Sequence, residues 1–372
     1  MLSKLVETVN LSPAVGSSFR NWMKVLYKNR HISIKAIPRI LLVCLLSLLG
    51  VPFRIYEYLR VHKMITNYTL KEDPIFIIGH WRSGTTHLHN LLCQDPQFGF
   101  VTMYQSAFPK SFLCTSFFKI FLKLFMPDTR PMDSMELHVD KPQEEELGLG
   151  NLCPYSFYNG FYFPEDMMKH FYHYIRFKNV NGKVKCEWKK NYLYLLKAAT
   201  INMKGKKLIL KNPVNTARIE ILREMFPNAK FIHIYRNPYV VYLSTKRFYE
   251  KAIKYFMLQK ISDKELDENI LKIYNQMMKS FFNEIKSIPK ENFVEIKFED
   301  LERNPIEQIK KIYQNLHIGG FNRAKDLIQK YLKTISDYKK NRYKLDLLTI
   351  KKIKDSWNFT IKKWNYSVPL IS

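Results

Sequence analysis

Paired cysteines are absent from this sequence. Its 372 residues include five cysteines, an odd number, widely spread and without a CxxC pair. This pattern excludes a disulfide framework and a zinc-ribbon spacing, and it is typical of reduced thiols in the cytosol. We therefore expect a cytoplasmic protein without a metal site. The cysteines are Cys44, Cys93, Cys114, Cys153 and Cys186.

Acidic residues are scarce relative to basic ones. The chain has 33 Asp and Glu against 60 Lys and Arg, a formal net charge of +27. Such a charge favours an anionic partner, namely a nucleotide, an acidic membrane surface or nucleic acid, although a general excess of Lys gives the same number. Zinc-finger spacing, an RNA-binding aromatic signature and a basic-zipper heptad are all missing, so we expect no nucleic-acid partner.

Apolar runs long enough to span a bilayer are also missing. A spanning helix needs about 20 apolar residues, and the run at residues 40–53, ILLVCLLSLLGVPF, is shorter. It starts too far from Met1 for a secretory signal peptide, and no small-residue cleavage site follows it. Because basic residues flank it on both sides, it is either an in-plane or re-entrant membrane anchor or a helix buried against the rest of the protein. A membrane span is the third alternative.

What the chain does contain, from residue 74 onward, is an alternation of short apolar runs with helical patterns. Such an alternation predicts an α/β fold with three layers, α/β/α, and a central parallel sheet with right-handed crossovers. The predicted strands are 74–78, 208–210, 230–235 and 293–297, and the predicted helices are 86–92, 218–226, 239–249 and 305–316.

The same alternation divides the chain into three parts. Residues 1–71 form an N-terminal helical region, which the anchor interpretation places at a membrane. Residues 72–322 form the α/β domain, with a large aromatic-rich helical insertion at about 98–203 that is too long for a structureless loop. Residues 323–372 form a helical C-terminal tail rich in Lys and Tyr.

The strongest chemical signal is the segment GHWRSGTT at residues 79–86, between the first predicted strand and its helix. Successive backbone N–H groups and a helix N-terminus at such a place form a cradle for an anion. The spacing matches the phosphate loop GxxxxGK followed by Ser or Thr, except that Thr85 replaces the Lys that reaches the β- and γ-phosphates of a nucleoside triphosphate. This replacement argues against ATP or GTP hydrolysis, and Arg82 places a cation inside the loop instead.

The run RSGTT resembles the 5′-phosphosulfate-binding loop of sulfotransferases that use 3′-phosphoadenosine-5′-phosphosulfate (PAPS). Arg82 stands where many cytosolic members of that family have Lys, and tyrosylprotein sulfotransferases are similar to this sequence in having Arg. The resemblance is to the membrane-linked and bacterial-type branch of the phosphate-loop sulfotransferase fold. It implies that the 5′-phosphosulfate is bound by Arg82, Ser83, Gly84, Thr85 and Thr86.

A second motif, YRNPYVVYLS at residues 235–244, follows the third predicted strand. It resembles the family in having an Arg after the strand and a Ser eight residues later. Arg236 offers a bidentate fork to a 3′-phosphate, and Ser244, two helical turns on, can reach the same oxygens. Because the 3′-phosphate separates PAPS from ordinary nucleotides, the resemblance implies that this pair selects the cosubstrate.

Two further segments resemble the family less specifically. The acidic residues of FEDL at 298–301 suit a helix start stabilised by the helix dipole, so we interpret that segment as structural. Lys211 follows the second predicted strand at the ligand edge of the sheet and is either a phosphosulfate contact or a helix-entry residue. The branch often has a His near this point, where this chain has Asn215.

A hydroxyl acceptor needs a general base, and the resemblance implies a His or Glu from the segment after the first helix. An acidic triplet lies there, Glu144 to Glu146, for which a solvated helix start is the alternative. One of its carboxylates could point into a cleft with a raised pKa. We select Glu145 as the base, then Glu144. The other candidates are His80, His87 and His89.

The resemblance implies an enzyme that moves a sulfuryl group from PAPS to a hydroxyl of a lipid-like or glycan acceptor by in-line displacement. Arg82 and the loop amides would stabilise the departing 5′-phosphate, and no metal is required. The alternatives are a phosphate-loop kinase that depends on ATP and Mg²⁺, and a non-catalytic, membrane-associated protein that binds PAPS. We expect a cytoplasmic location, peripheral on the inner face of a membrane.

Overall fold

The chain folds into two compact units. The computed structural model describes residues 12–29, 31–126, 128–130, 132–133, 135–336 and 343–369. Parts of the predicted N-terminal region (1–11 and Arg30) and of the predicted tail (337–342 and 370–372) lie outside the described residues. The helical unit consists of Met1–Lys71, Gly99–Lys206 and Lys251–Ser262, and the sheet unit consists of Glu72–Phe98, Lys207–Glu250 and Asp263–Ser372.

A five-stranded sheet organises the sheet unit, with the strand order β2-β3-β1-β4-β5. Strand β1 pairs in parallel with both β3 and β4, and β4 pairs in parallel with β5. The chain therefore leaves β1 to one side and returns on the other, so the carboxyl end of β1 lies at a topological switch point, where open α/β sheets bind ligands. The strands are β1 (Ile75–Ile78), β2 (Phe98–Gly99), β3 (Lys207–Lys211), β4 (Lys230–Tyr235) and β5 (Phe293–Lys297).

Helices account for most of the remaining described residues. In the sheet unit a helix follows each of the strands β1, β3, β4 and β5. In chain order they are α1 (Phe19–Lys28), α2 (Ile37–Leu49), α3 (Val51–Asn67), α4 (Thr85–Leu92), α5 (Met103–Ala107), α6 (Phe118–Phe125), α7 (Glu145–Leu152), α8 (Tyr158–Tyr162), α9 (Met167–Tyr174), α10 (Gly182–Asn202), α11 (Ile219–Met225), α12 (Pro238–Lys251), α13 (Asp263–Glu284), α14 (Phe298–Arg303), α15 (Pro305–Asn315), α16 (Phe321–Thr334) and α17 (Leu347–Lys363).

Helices cover both faces of the sheet, as the alternating side chains of β4 show. Ile232 and Ile234 belong to a buried cluster with residues of α4, α15 and α16. His233 points to the opposite face, where its ring stacks on Phe281 of α13 with the centroids 3.9 Å apart. Side chains alternate between the two faces of a strand, so the sheet lies between two helical layers. The prediction of an α/β fold with a central parallel sheet is confirmed.

The helical unit has cores of its own. Trp22 of α1 packs edge-on against Tyr162 of α8, with the ring centroids 5.7 Å apart, and Val43 of α2 joins the same buried cluster. A second cluster joins Ile65 of α3 to Ala198 of α10. Buried aromatic rings supply large apolar contact areas, and each of the two clusters packs an N-terminal helix against the 99–206 segment.

Helices α2 and α3 contain the apolar run at residues 40–53. Among the described residues, no single helix has the length and apolar composition of a membrane span, whereas 34–49 and 51–67 together do, with a bend of 43° between them. Val43 and Ser47 are buried, while Leu41, Leu45 and Leu48 are exposed. One face of the run therefore packs on the protein and the other does not.

Gly84 is the N-cap residue of helix α4 and has a backbone conformation that other residues rarely adopt. Its φ is +95°, in the left-handed region, and a Cβ at this position would lie 2.1 Å from the ring of Phe298. A side chain there would both strain the backbone and collide with a buried aromatic ring. Glycine is thus required where the loop after β1 meets α14.

We expect Gly84→Ala to lower the free energy of unfolding by roughly 2 kcal/mol or more, since left-handed backbone costs an L-residue about 1–2 kcal/mol and overpacking adds to it. Urea denaturation of the full chain measures this. Gly319→Ala is the matched control, because a Cβ there meets nothing within 4 Å. If both variants unfolded at the same urea concentration, the packing requirement at Gly84 would be disproved.

Candidate functional site

The loop between β1 and α4 is fixed by two hydrogen bonds of its backbone N–H groups. The N–H of Gly79 donates to Oγ1 of Thr216, 2.7 Å away, and the N–H of Ser83 donates to the carbonyl of His80 at 3.1 Å. Arg82 has a φ of +70°, a conformation that is uncommon for a residue with a side chain and that clusters at functional sites. The loop thus holds its cation in a defined and costly conformation.

Helix α4 presents its N-terminus at this loop. The N-cap residue is Gly84, which has no side chain with which to cap the amides of the first turn. The first-turn amides and the helix dipole favour a negative charge at this point. Ser83 and Thr85 are buried, and Thr86 is half-buried. The segment predicted to bind the phosphosulfate therefore has the backbone of an anion cradle.

The three polar residues that the two motifs single out are brought together. Arg82 Nε donates to Oγ of Ser244 on α12, at 2.8 Å. Arg236, between β4 and α12, donates from Nη1 to the carbonyl oxygen of Arg82, at 3.3 Å. Residues separated by about 160 positions in the chain thus meet at the carboxyl edge of β1 and β4. The two motifs form one site.

The segment at 298–301 positions Arg236. The guanidinium carbon of Arg236 lies 4.3 Å from the centroid of the Phe298 ring, in a cation–π contact. The N–H of Asn237 donates to Glu299 Oε1 at 3.0 Å, and Tyr366 donates to the other oxygen of the same carboxylate at 2.7 Å. Sequence reasoning missed Tyr366 and the contact made by Phe298, because no spacing within a motif indicates either.

Arg236 lies near charged side chains of both signs. Burial lowers its pKa, the charge of Arg82 lowers the pKa further, and the carboxylates of Glu299 and Glu302 raise it. A guanidinium remains protonated in proteins even so. Two like charges in one partly buried place repel each other, and an anion between them would relieve the repulsion.

Lys211 is the last residue of β3 and is buried. It stands beside Ile77 of β1 in the sheet register, so it reaches the same carboxyl edge as the loop. Its charge helps to lower the pKa of His89, which burial brings to about 3. Asn215, where the family branch often has His, is fully buried. The role of Lys211 as a phosphosulfate contact stays a prediction.

The histidines around the loop are neutral at physiological pH. Burial lowers the pKa of His80 to about 4, and its Nδ1 lies 2.8 Å from the carbonyl of Trp81. His89 Nε2 lies 3.2 Å from the carbonyl of Ile209, and burial also lowers the pKa of His87. Within the described ranges, no group of three or more His, Cys, Asp or Glu side chains is placed to hold a metal ion.

The acidic triplet begins helix α7 of the helical unit, and its members differ. Glu145 is fully buried, its Oε1 accepts a 2.8 Å hydrogen bond from the hydroxyl of Tyr192, and burial raises its pKa to about 7. Glu146 is buried, and its Oε1 accepts a hydrogen bond from Ser156 Oγ at 2.9 Å. Glu144 is the N-cap residue and is half-buried. A general base works best with a pKa near the operating pH, which Glu145 has.

Known proteins resemble this chain in sequence and in fold. A model described as the sulfotransferase family matches residues 74–322. The omega-hydroxy-beta-dihydromenaquinone-9 sulfotransferases Stf3 of Mycobacterium bovis and Mycobacterium tuberculosis are each 30% identical to this chain over 360 residues, which is 95% of this chain and 90% of theirs.

Solved structures with low sequence identity show the same fold. Sulfotransferase STF9 from Mycobacterium avium matches with a TM-score of 0.71 and 15% identity, over 95% of this chain and 93% of that one. STF1 from Mycobacterium tuberculosis matches with a TM-score of 0.66 and 14% identity, over 96% and 98%. The family model and the curated relatives, which are named as sulfotransferases, exclude the kinase alternative. Because the family model covers more than half of the chain and the curated relatives align with nearly all of it, the chain belongs to the sulfotransferase family and is a sulfuryl-transferring enzyme.

Proposed function

We propose that this sulfotransferase takes its sulfuryl group from PAPS and transfers it to a hydroxyl group of a lipid-like acceptor, with a glycan hydroxyl as the alternative. The observation that carries the proposal is the meeting of Arg82, Ser244 and Arg236 at the carboxyl edge of the sheet. A donor with a phosphosulfate at one end and a 3′-phosphate at the other needs two cationic contacts close together, and these residues supply them.

The residues of the sheet unit fit such a donor. Arg82 and the backbone amides of 83–86 would hold the 5′-phosphosulfate at the N-terminus of α4. Arg236 and Ser244 would hold the 3′-phosphate, since a guanidinium fork suits phosphate geometry. Lys211, at the same sheet edge, would add a third positive charge. When bound, PAPS supplies the sulfuryl group and leaves as 3′,5′-ADP.

The contribution of these residues to the reaction is electrostatic. Negative charge grows on the 5′-phosphate oxygens as the sulfuryl group departs, and Arg82 with the first-turn amides of α4 neutralises it. The carbonyl of Arg82 accepts from Arg236 and its side chain donates to Ser244. The guanidinium groups of Arg82 and Arg236 are therefore already oriented before the ligand arrives, which avoids a reorganisation cost during the reaction.

Glu145 supplies the base in this proposal, with Glu144 as the second choice. Burial holds the pKa of Glu145 at about 7, so a large fraction is deprotonated at neutral pH and can take the proton of an acceptor hydroxyl. The hydroxyl of Tyr192 donates to Glu145 Oε1 and fixes the orientation of the carboxylate.

One observation favours a lipid-like acceptor over a glycan. The mycobacterial relatives are named for an omega-hydroxylated dihydromenaquinone, which is a lipid alcohol.

The pairing of Arg236 and Ser244 with a 3′-phosphate predicts a preference for 3′,5′-ADP over 5′-AMP. We expect Arg236→Ala to reduce that preference by about ten- to one-hundredfold, because a charged hydrogen bond contributes about 1.5–3 kcal/mol. Isothermal titration calorimetry with both nucleotides measures it. Arg323→Ala, which removes an exposed guanidinium, is the control for net charge. Equal affinity of the wild-type protein for the two nucleotides would refute the assignment.

Arg82→Ala is expected to lower the transfer rate from radiolabelled PAPS by about one-hundredfold or more, as for loss of a preorganised donor. Circular dichroism should show an unchanged fold. Lys204→Ala is the control, because Lys204 is also cationic and has a φ of +57°, and it is exposed. Transfer by Arg82→Ala at the control's rate would remove Arg82 from the mechanism.

The raised pKa of Glu145 predicts the pH profile of kcat/KM. A base acts when deprotonated, so the rate should rise with pH and level off above about 7. Glu145→Gln should abolish that rise and lower the rate by about one-hundredfold or more, since Gln keeps an oxygen acceptor for Tyr192 but cannot take a proton. Glu144→Gln is the control and should keep the rise. A Glu145→Gln enzyme with the wild-type profile would exclude Glu145 as the base.

A further inference from the structure

Helix α2 has an apolar face that its own unit does not cover. Ile37, Leu41, Leu45 and Leu48 recur at spacings of four, four and three residues, which places them on one side of a helix. Each of these side chains is 45% to 62% exposed. Scattered exposed leucines are ordinary on protein surfaces, whereas a continuous stripe of them marks an interaction surface.

Helix α3 continues the stripe after the bend at Gly50. Val51, Ile55 and Leu59 repeat the spacing of four and are 36% to 76% exposed. We call these seven residues of α2 and α3 the apolar face. The ring of Phe53 contacts the exposed ring of Phe117, with 6.2 Å between the centroids, so Phe117 widens the surface beside α3.

The opposite sides of both helices are packed on the helical unit. Val43 of α2 lies in the buried cluster of Trp22, and Glu57 of α3 is buried and accepts from the N–H of Cys114 at 2.9 Å. Lys197 Nζ donates to the carbonyl of Thr66 at the end of α3, at 2.9 Å. A helix that packs one side on its own protein and exposes an apolar side suits the plane of an interface.

Exposed charge in the segment that contains the apolar face has one sign. From Ser12 to Lys71 the only carboxylate in the sequence is Glu57, and it is buried. The exposed cations among the described residues of this segment are Arg20, Lys24, Lys28, Lys35, Arg60, Lys63 and Lys71. Clusters of basic side chains on amphipathic helices attract anionic lipid headgroups. The same charge disfavours pairing with a second copy of this chain, whose net charge is also +27.

We propose that the apolar face docks on the surface of an anionic phospholipid bilayer. Helices α2 and α3 lie along the boundary between headgroups and acyl chains, with the leucines inserted and the basic side chains against the headgroup phosphates. This makes the protein a peripheral protein of an anionic leaflet. The docking goes beyond the proposed reaction and depends on neither the donor nor the acceptor.

Sedimentation of the full chain with vesicles tests the docking. The vesicles are phosphatidylcholine alone and phosphatidylcholine mixed with an equal amount of phosphatidylglycerol. We expect strong binding to the mixed vesicles, weaker binding to phosphatidylcholine, and weaker binding in high salt. The double variant Leu45→Gln, Leu59→Gln should lower the partition coefficient on mixed vesicles about tenfold or more. Glutamine keeps the helix propensity of leucine.

The matched control is the double variant Leu327→Gln, Leu348→Gln, which removes two exposed leucines of the sheet unit and should bind like the wild type. Equal binding by the apolar-face variant and the control would overturn the proposal. Equal binding of the wild type to both kinds of vesicle would also overturn it, because anionic lipid would then contribute nothing to the binding. Light scattering without vesicles tests whether a second copy of the chain covers the apolar face instead. A dimer that the apolar-face variant abolishes, together with no binding to vesicles, would overturn the proposal in favour of that second copy.

Discussion

Two guanidinium groups held close together at the carboxyl edge of the sheet are the constraint on which the site depends. Arg82 is held by Ser244 and Arg236 is held by the carbonyl of Arg82, while the Phe298 ring lies beneath Arg236. Bringing like charges together costs free energy unless an anion joins them. The strained φ of Arg82 and the glycine at position 84 follow from this constraint, since both are needed to place the cation and the helix N-terminus side by side.

The sheet explains why residues so distant in sequence can meet. Strands β1 and β4 are parallel neighbours, so the loop after β1 and the turn after β4 emerge at one edge, and α12 returns Ser244 to the same place. The acidic residues of α14 anchor that turn through the backbone of Asn237. In the helical unit, burial raises the pKa of Glu145 to about 7. The sheet unit therefore holds positive charge at its ligand edge, and the helical unit holds a buried carboxyl group that titrates near neutral pH.

Local patterns in the sequence predicted much of the fold and the motif residues. Strands β4 and β5 have the predicted bounds, because each is a run with β-branched and aromatic residues that ends at a turn or helix. Strand β3 is longer than predicted, because its terminal lysines, including the buried Lys211, are not apolar. The two-residue strand β2 has no periodicity to detect. The contacts of Phe298 with Gly84 and of Tyr366 with Glu299 join positions far apart in the chain, so they follow only from the three-dimensional fold.

We propose that one donor molecule binds across both motifs of the sheet unit. A crystal structure of the full chain with 3′,5′-ADP tests this most directly. It should show the 3′-phosphate within hydrogen-bonding distance of Arg236 and Ser244, and the 5′-phosphate at the backbone amides that begin α4. A nucleotide bound away from this edge of the sheet, or with its two phosphates exchanged, would contradict the account.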